Sequence, residues 1–132
     1  MSYLFDSSSI FVAFKRNNED LLLDNYTISL VVFELGNIVW KEVYLFRSLS
    51  LEDAREMLEL LSEVLSTMQI IEIKDLSVEI LELATGMGLT YYDAAYAYVA
   101  MDRNLVLVTE DKKLRSSSSK TKIRAISLNQ LK

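Results

Sequence analysis

Residues 89–114, LTYYDAAYAYVAMDRNLVLVTEDKKL, are the stretch that decides the fold of this chain. The segment 90–103 predicts a helix, and the continuous apolar run 105–108 predicts a buried strand. Asp93 lies in the first turn of the predicted helix, and Asp111 follows the predicted strand closely. Both carboxylates therefore stand where buried backbone ends and solvent begins.

The rest of the chain alternates between short apolar runs and amphipathic segments. Strands separated by helices favour parallel pairing in a sheet that is covered on both faces. The sequence therefore predicts an α/β three-layer sandwich with a central, mainly parallel sheet of four to five strands. Proline is absent and only three glycines occur, so no linker divides the chain, and we expect residues 1–132 to form a single domain. The other predicted strands are 2–5, 26–28, 69–73 and 123–126, and the other predicted helices are 7–15, 29–46, 51–68 and 75–84.

Local signals refine the ends of these elements. Ser29 is expected to cap the long helix that begins there, and Asp75 is expected to start a later helix. Gly86 and Gly88 are expected to end that later helix. Residues 116–119, four consecutive serines, predict a loop.

The composition excludes several classes of functional site. The chain of 132 residues has no cysteine, so disulfides and thiolate metal sites are excluded. Histidine is also absent, which excludes histidine-based acid–base catalysis, Ser-His-Asp triads and histidine-ligated zinc. Any metal ion must therefore be held by oxygen atoms, which favours Mg²⁺ or Mn²⁺.

Two further acids lie at the edges of apolar elements. Asp6 directly follows the first predicted strand, and Glu34 lies early in an apolar helix. In open parallel sheets, ligands bind beyond the carboxyl ends of the strands, where Asp6 and Asp111 fall and where the helix of Asp93 can open. Clustered carboxylates repel one another, and a divalent cation relieves that repulsion, orients a water and neutralises charge on a phosphate. The four acids therefore suggest a site for a hard cation.

Each of these acids also has a structural explanation, and the sequence leaves both explanations open. Asp6 can cap the helix predicted over 7–15, and Asp93 fits a capping box at the start of its own helix. Asp111 can be a turn acid that is followed by two lysines. Glu34 is harder to explain in this way, since an acid that is partly buried among apolar neighbours needs a partner.

Charge is distributed unevenly along the chain. The net charge is −5, from 14 basic and 19 acidic residues. Residues 112–132 contain seven of the basic residues and no acid, so this tail carries +7 and the first 111 residues carry −12. Such asymmetry marks either a contact with a nucleic-acid backbone or a solvated end of the chain. Under the first interpretation, we expect Lys112, Lys113 and Arg115 to contact the nucleic-acid backbone.

Four motifs together resemble the PIN domain, in particular the VapC-like toxin ribonucleases of toxin–antitoxin pairs. The motifs are residues 3–8 (YLFDSS), 33–35 (FEL), 88–94 (GLTYYDA) and 107–114 (LVTEDKKL), and they span nearly the whole chain. The last two, in tandem, are the more specific. In order and spacing, all four match the family.

The resemblance implies a set of functional residues. The four acids that bind Mg²⁺ or Mn²⁺ in such nucleases correspond to Asp6, Glu34, Asp93 and Asp111. Ser8 and Thr109 correspond to hydroxyl positions that support the acids through hydrogen bonds. The role of Glu110 stays open because the family varies at that position.

The resemblance also implies an activity and its partners. Such a protein is a metal-dependent endoribonuclease that hydrolyses RNA phosphodiester bonds as the toxin of a type II toxin–antitoxin pair. These proteins usually form homodimers and are inhibited by an antitoxin. The alternative is a non-catalytic PIN-like module that binds RNA or protein, with acids that only cap helices. Dependence on the metal ion separates the two hypotheses.

Apolar and aromatic side chains bear on these partners. Residues 30–46 carry more apolar surface than one helix face can bury, which predicts a dimer or antitoxin interface, or else burial on several sides. The tyrosines near the start of the 90–103 helix either stack on unpaired bases or pack in the core. They are Tyr91, Tyr92, Tyr96 and Tyr98.

The amino terminus shows no secretory signal, because Asp6 and the serines 7–9 interrupt the only apolar candidate. Residues 83–101 contain a single charge, but their glycines and tyrosines make a poor membrane span. We therefore expect a cytoplasmic protein without a membrane segment.

Overall fold

A five-stranded sheet forms the centre of the computed structural model, which describes residues 2–131. The strand order is β3-β2-β1-β4-β5, and every neighbouring pair is parallel. This confirms the predicted parallel sheet and places β1 in its middle. The strands are β1 (Tyr3–Phe5), β2 (Tyr26–Ile28), β3 (Gln69–Ile71), β4 (Val106–Val108) and β5 (Ala125–Ile126).

Helices cover both faces of the sheet, because successive side chains of a strand point to opposite sides. Leu4 of β1 packs in a core with α4 and α5, whereas its neighbour Phe5 packs in a second core with α1, α2 and α3. The predicted three-layer sandwich is therefore confirmed. The helices are α1 (Ser7–Lys15), α2 (Val31–Trp40), α3 (Leu51–Ser66), α4 (Ser77–Met87), α5 (Tyr91–Asp102) and α6 (Lys112–Ser118), with short 3-10 helices at Glu19–Leu21 and Leu128–Gln130.

The long helix predicted over 29–46 differs from the observed one at both ends. Ser29 is not its cap: the Ser29 N–H donates to the Ile71 carbonyl at 3.0 Å and continues the strand pairing, while its hydroxyl donates to Glu72 at 3.1 Å. The helix starts two residues later, and its last part is a π-helical turn, Lys41–Leu45. In a π-helix each hydrogen bond joins residues five apart instead of four, so the side chains that follow point in directions that an α-helix would not give them.

Two other local predictions were wrong. The helix predicted from Asp75 begins at Ser77, and Gly88 alone ends it in a left-handed conformation (φ 69°), since Gly86 lies inside the helix. Residues 116–119 are not a loop, because α6 runs to Ser118. The buried Leu114 and the hydrogen bond from the Ser118 hydroxyl to the Leu114 carbonyl (2.8 Å) hold these serines in helical form.

Within residues 2–131, no helix combines the length and the apolar character that a membrane crossing requires.

Candidate metal centre

Asp6 lies at the carboxyl end of β1, the middle strand, and is the amino-terminal cap of α1. Its Oδ1 accepts hydrogen bonds from the Ser9 N–H (2.9 Å), the Ser8 hydroxyl (2.8 Å) and the Ser9 hydroxyl (3.0 Å). Burial raises the pKa of Asp6, and hydrogen bonds from Thr109, Ser9 and Ser8 oppose that rise. The fold therefore builds a buried carboxylate whose charge a nearby cation would favour.

Ser8 and Thr109 connect the ends of β1 and β4. Their hydroxyl oxygens lie 3.5 Å apart. The Ser8 oxygen accepts the Glu110 N–H at 3.1 Å, and the Thr109 oxygen accepts the Asp111 N–H at 3.1 Å. Both hydroxyls thus fix the loop that carries Asp111 relative to Asp6, at the positions expected for supporting residues.

Asp111 follows β4 and caps α6. Its Oδ1 accepts the N–H groups of Lys113 (2.9 Å) and Leu114 (3.2 Å), and its Oδ2 makes no hydrogen bond within residues 2–131. The side chain is exposed. One oxygen of Asp111 therefore serves the helix, and the other is available to a ligand.

Asp93 lies in the first turn of α5, and Thr90 rather than Asp93 caps that helix. The Thr90 hydroxyl oxygen accepts the Asp93 N–H at 3.1 Å. Burial raises the pKa of the Asp93 carboxyl, the negative charge of Asp111 raises it further, and Thr90 and Lys113 lower it. Asp93 and Asp111 are therefore electrostatic neighbours, with the ammonium of Lys113 close by.

Glu34 has the partner that the sequence required. The Tyr96 hydroxyl donates to Glu34 Oε1 at 2.6 Å, which joins α2 to α5. Tyr96 is almost completely buried. Burial and the carboxylates of Glu34 and Asp6 raise its pKa well above the usual value, so the phenol remains a hydrogen-bond donor.

Electrostatic effects link these acids in two sets, Glu34 and Asp6 through Tyr96, and Asp93 and Asp111 directly. Tyr96 feels the charges of both Glu34 and Asp6, and Asp93 feels the charge of Asp111. In the described part of the chain, however, no three acidic side chains are close enough together to form a ready metal site. The donors are all oxygen atoms and the pKa values of Asp6 and Asp93 are raised, so the chemistry of this donor set fits a hard divalent cation.

The structure separates the four tyrosines. Tyr96 is a buried core residue, so it presents no ring to a base and the stacking interpretation was wrong for it. Tyr98 is partly buried and packs against the same core. Tyr91 and Tyr92 are exposed. Sequence reasoning missed Tyr96 as the partner of Glu34, because the two residues are 62 positions apart.

Other residues near the site have structural partners. Glu110 Oε2 accepts the Leu128 N–H at 2.8 Å, so its carboxylate holds the carboxyl-terminal 3-10 helix. Sequence reasoning also missed Ser9, whose buried hydroxyl lies 2.7 Å from the Val108 carbonyl oxygen as well as 3.0 Å from Asp6 Oδ1, so these two acceptors share its one proton. Arg115 donates to the Thr109 carbonyl at 2.6 Å and so supports the same loop.

The segment 30–46 buries only one of its faces. Val31, Leu35 and Val39 are in the core. A second set of apolar side chains is exposed, and Trp40 and Tyr44 stack on each other with ring centroids 5.4 Å apart. This second set comprises Val32, Phe33, Trp40, Tyr44, Leu45 and Phe46.

Comparisons with known proteins show the family of this chain. A PIN-domain family model matches residues 1–118. The protein named Exonuclease VapC9, from Pyrobaculum aerophilum, is 36% identical over 120 residues, which cover 86% of this chain and 84% of the relative.

Two solved structures share the fold. The crystal structure of PAE2754 from Pyrobaculum aerophilum has a TM-score of 0.83 and 32% identity, with 99% of this chain and 92% of that chain covered. VapBC2 from Rickettsia felis, crystallised with a DNA fragment from its promoter, has a TM-score of 0.67 and 21% identity, with 96% and 98% covered. At that identity the second likeness concerns the fold alone.

Proposed function

The chain belongs to the PIN-domain family, with VapC proteins among its relatives, and we propose that this VapC-type nuclease is a metal-dependent endoribonuclease. In this proposal the Mg²⁺ or Mn²⁺ ligands are Asp6, Glu34, Asp93 and Asp111, within a single domain that spans residues 1–132. A bound divalent cation supplies an activated water and neutralises charge on the phosphate. The observation that carries the proposal is that Asp6 and Asp111 follow the neighbouring strands β1 and β4 at the carboxyl edge of the sheet, with Asp93 near enough to Asp111 for its pKa to be raised.

The chain's own residues orient the carboxylates. Ser8 and Ser9 hold one oxygen of Asp6, and Tyr96 holds one oxygen of Glu34. Because Glu34 Oε2 makes no hydrogen bond within residues 2–131, it is available to a cation. Thr109 fixes the backbone of Asp111. Such supporting contacts restrict the ligand geometry that a metal ion meets.

In this proposal the basic residues at the start of α6 bind the RNA. Lys112 and Lys113 are exposed, and Lys113 lies near enough to Asp93 to lower its pKa. A phosphate that approaches the acids would therefore lie near the positive ammonium group of Lys113. Arg115 already donates to the Thr109 carbonyl, so in this proposal it contacts RNA while it supports the loop.

The relative named exonuclease raises the question of where cleavage occurs. Asp111 is exposed and Asp93 is only half-buried, so a strand can reach these acids from the side without presenting an end. We therefore propose internal cleavage. A circular RNA tests this directly, because an enzyme that needs an end leaves it intact.

The proposed biological role is that of a cytoplasmic toxin controlled by an antitoxin. The exposed, stacked rings of Trp40 and Tyr44 support a protein interface on part of the segment 30–46, and the chain is expected to form a homodimer. Growth arrest on expression of the wild type, which an Asp93→Asn variant fails to cause, would support the toxin role.

The decisive experiment is cleavage of linear and circular RNA by purified protein in Mg²⁺ or Mn²⁺, with EDTA and Asp93→Asn as controls. We expect both controls to lose more than about 99% of the activity, because EDTA removes the cation and Asp93→Asn removes a charge that holds it. Asp93→Asn should unfold at the same denaturant concentration as the wild type, because Thr90 caps α5.

Two results would contradict the proposal. Full activity of Asp93→Asn would remove that carboxylate from the site. RNA binding without cleavage by the wild type, free of any co-purified inhibitor, would favour the alternative of a non-catalytic PIN-like binding module.

A further inference from the structure

A pocket of about 410 Å³ adjoins the candidate metal centre on the side of α2. Its volume is in the range of about 300–1,000 Å³ that is typical of small-ligand sites. Glu34 and Ser7 line it, so it opens directly beside a proposed metal ligand. The other polar and aromatic groups in its wall are Phe33, Asn37, Lys41 and Tyr92.

Two aromatic rings in this wall are unusually exposed. Phe33 is 78% exposed and Tyr92 is 59% exposed. Each immediately precedes a proposed metal ligand in the chain: Phe33 precedes Glu34, and Tyr92 precedes Asp93. Rings in these positions add little to the stability of the core, but they are placed to contact whatever the acids act upon.

Two polar side chains of the pocket, Asn37 and Lys41, are unused by the fold. Asn37 follows Phe33 by one turn of α2 and shares its face, and Lys41, the first residue of the π-helical turn, lines the same pocket. Their side chains make no hydrogen bond or ion pair within residues 2–131. An amide offers a donor and an acceptor to a base edge, and an ammonium group offers a counter-charge to a phosphate.

We propose that this pocket binds one unpaired base of the RNA, next to the phosphate that is cleaved. The base stacks on Phe33 and Tyr92, Asn37 contacts its edge, and Lys41 contacts the adjoining phosphate. A base inside a duplex is already stacked and paired, so the substrate is single-stranded at this position. This inference rests on the proposed ribonuclease function and specifies its substrate.

The test replaces each ring by an aliphatic side chain. Phe33→Leu and Tyr92→Leu keep apolar bulk but remove the stacking surface, and Phe46→Leu is the matched control because Phe46 is similarly exposed (64%) and does not line the pocket. We expect the KM for a short single-stranded RNA to rise by roughly tenfold in the first two variants. The control should retain the wild-type KM, and the wild type should cleave the same strand poorly once it is paired to its complement.

A second readout is independent of cleavage. In an Asp93→Asn background, an RNA that carries 2-aminopurine at successive positions should lose fluorescence at one position, since stacking quenches this base. Phe33→Leu in the same background should restore the fluorescence.

The outcomes separate the two proposals. Cleavage by the wild type with unchanged KM and no quenching would overturn the base pocket and leave the nuclease standing. Quenching that depends on Phe33, without any cleavage, would overturn the nuclease and keep the pocket as an RNA-binding site. If Phe33→Leu weakens the binding of a second copy or of a co-expressed protein while RNA binding and cleavage are unchanged, the surface is a protein interface and the proposal is wrong.

Discussion

Asp6 and Asp93 lie at the same edge of one sheet, but the fold uses them differently. Asp6 is buried, caps α1 and accepts three hydrogen bonds on one oxygen. Asp93 is half-exposed, and Thr90 performs the capping of its helix. The first acid is part of the architecture, whereas the second can be changed without removing a cap.

The same division extends to the other two acids. Glu34 belongs with Asp6, because a buried tyrosine anchors it and the charges of both acids act on that tyrosine. Asp111 belongs with Asp93, because both face solvent and Lys113. The site therefore has an anchored half and an open half, and changes in the two halves should affect different properties.

The largest effect is expected from releasing the anchored half. Tyr96→Phe keeps the buried ring and removes only the hydroxyl that holds Glu34, so the Mn²⁺ concentration needed for half-maximal cleavage should rise by about 10- to 100-fold. Tyr98→Phe on the same helix is the control. An unchanged metal requirement in Tyr96→Phe would show that the bond to Glu34 serves packing alone.

A smaller effect on stability should distinguish Asp6 from Asp93. Without metal, Asp6→Ala should lower the free energy of unfolding by about 1–2 kcal/mol relative to Asp6→Asn, because only asparagine keeps an oxygen for the Ser9 N–H. Asp93→Ala should stay within about 0.5 kcal/mol of Asp93→Asn. Equal losses at both positions in urea titrations would contradict the division into two halves.

The smallest effect is expected at the rim of the open half. Lys112→Gln and Lys113→Gln should each flatten the dependence of RNA affinity on salt, by about 0.7 in the logarithmic slope for each lost phosphate contact. Lys120→Gln, farther along the basic tail, is the control. If all three variants retain the wild-type slope, these lysines are solvated charges that do not touch RNA.

Much of the architecture could be predicted because it depends on local patterns. The apolar run of β4 and the residues that flank it place Asp111 at a strand end, and Thr90 marks the start of α5. The cap-or-ligand question for Asp6 and Asp111 could not be answered, since a carboxylate has two oxygens. In Asp111, one oxygen caps the helix and the other remains available.

Contacts between distant parts of the chain set the limit of prediction. The partner of Glu34 is 62 residues away on another helix, and no local pattern links the two. Ser29 is a residue type that often caps helices, but its backbone N–H donates to the Ile71 carbonyl and continues the strand pairing instead. The π-helical turn could not be predicted, because a segment with apolar side chains on every face has no hydrophobic periodicity from which a change of helix type could be recognised.

The anchoring of individual carboxylate oxygens has a consequence for conformational entropy. A free acidic side chain loses rotamer freedom when it is immobilised on a ligand, at a cost of about 0.5–1.5 kcal/mol. Asp6, Glu34 and Asp111 have already lost much of that freedom through their hydrogen bonds to Ser9, Tyr96 and Lys113. Folding itself has thus done part of the ordering, and in the proposed site Asp93 is the acid that would still lose its rotamer freedom on binding a cation.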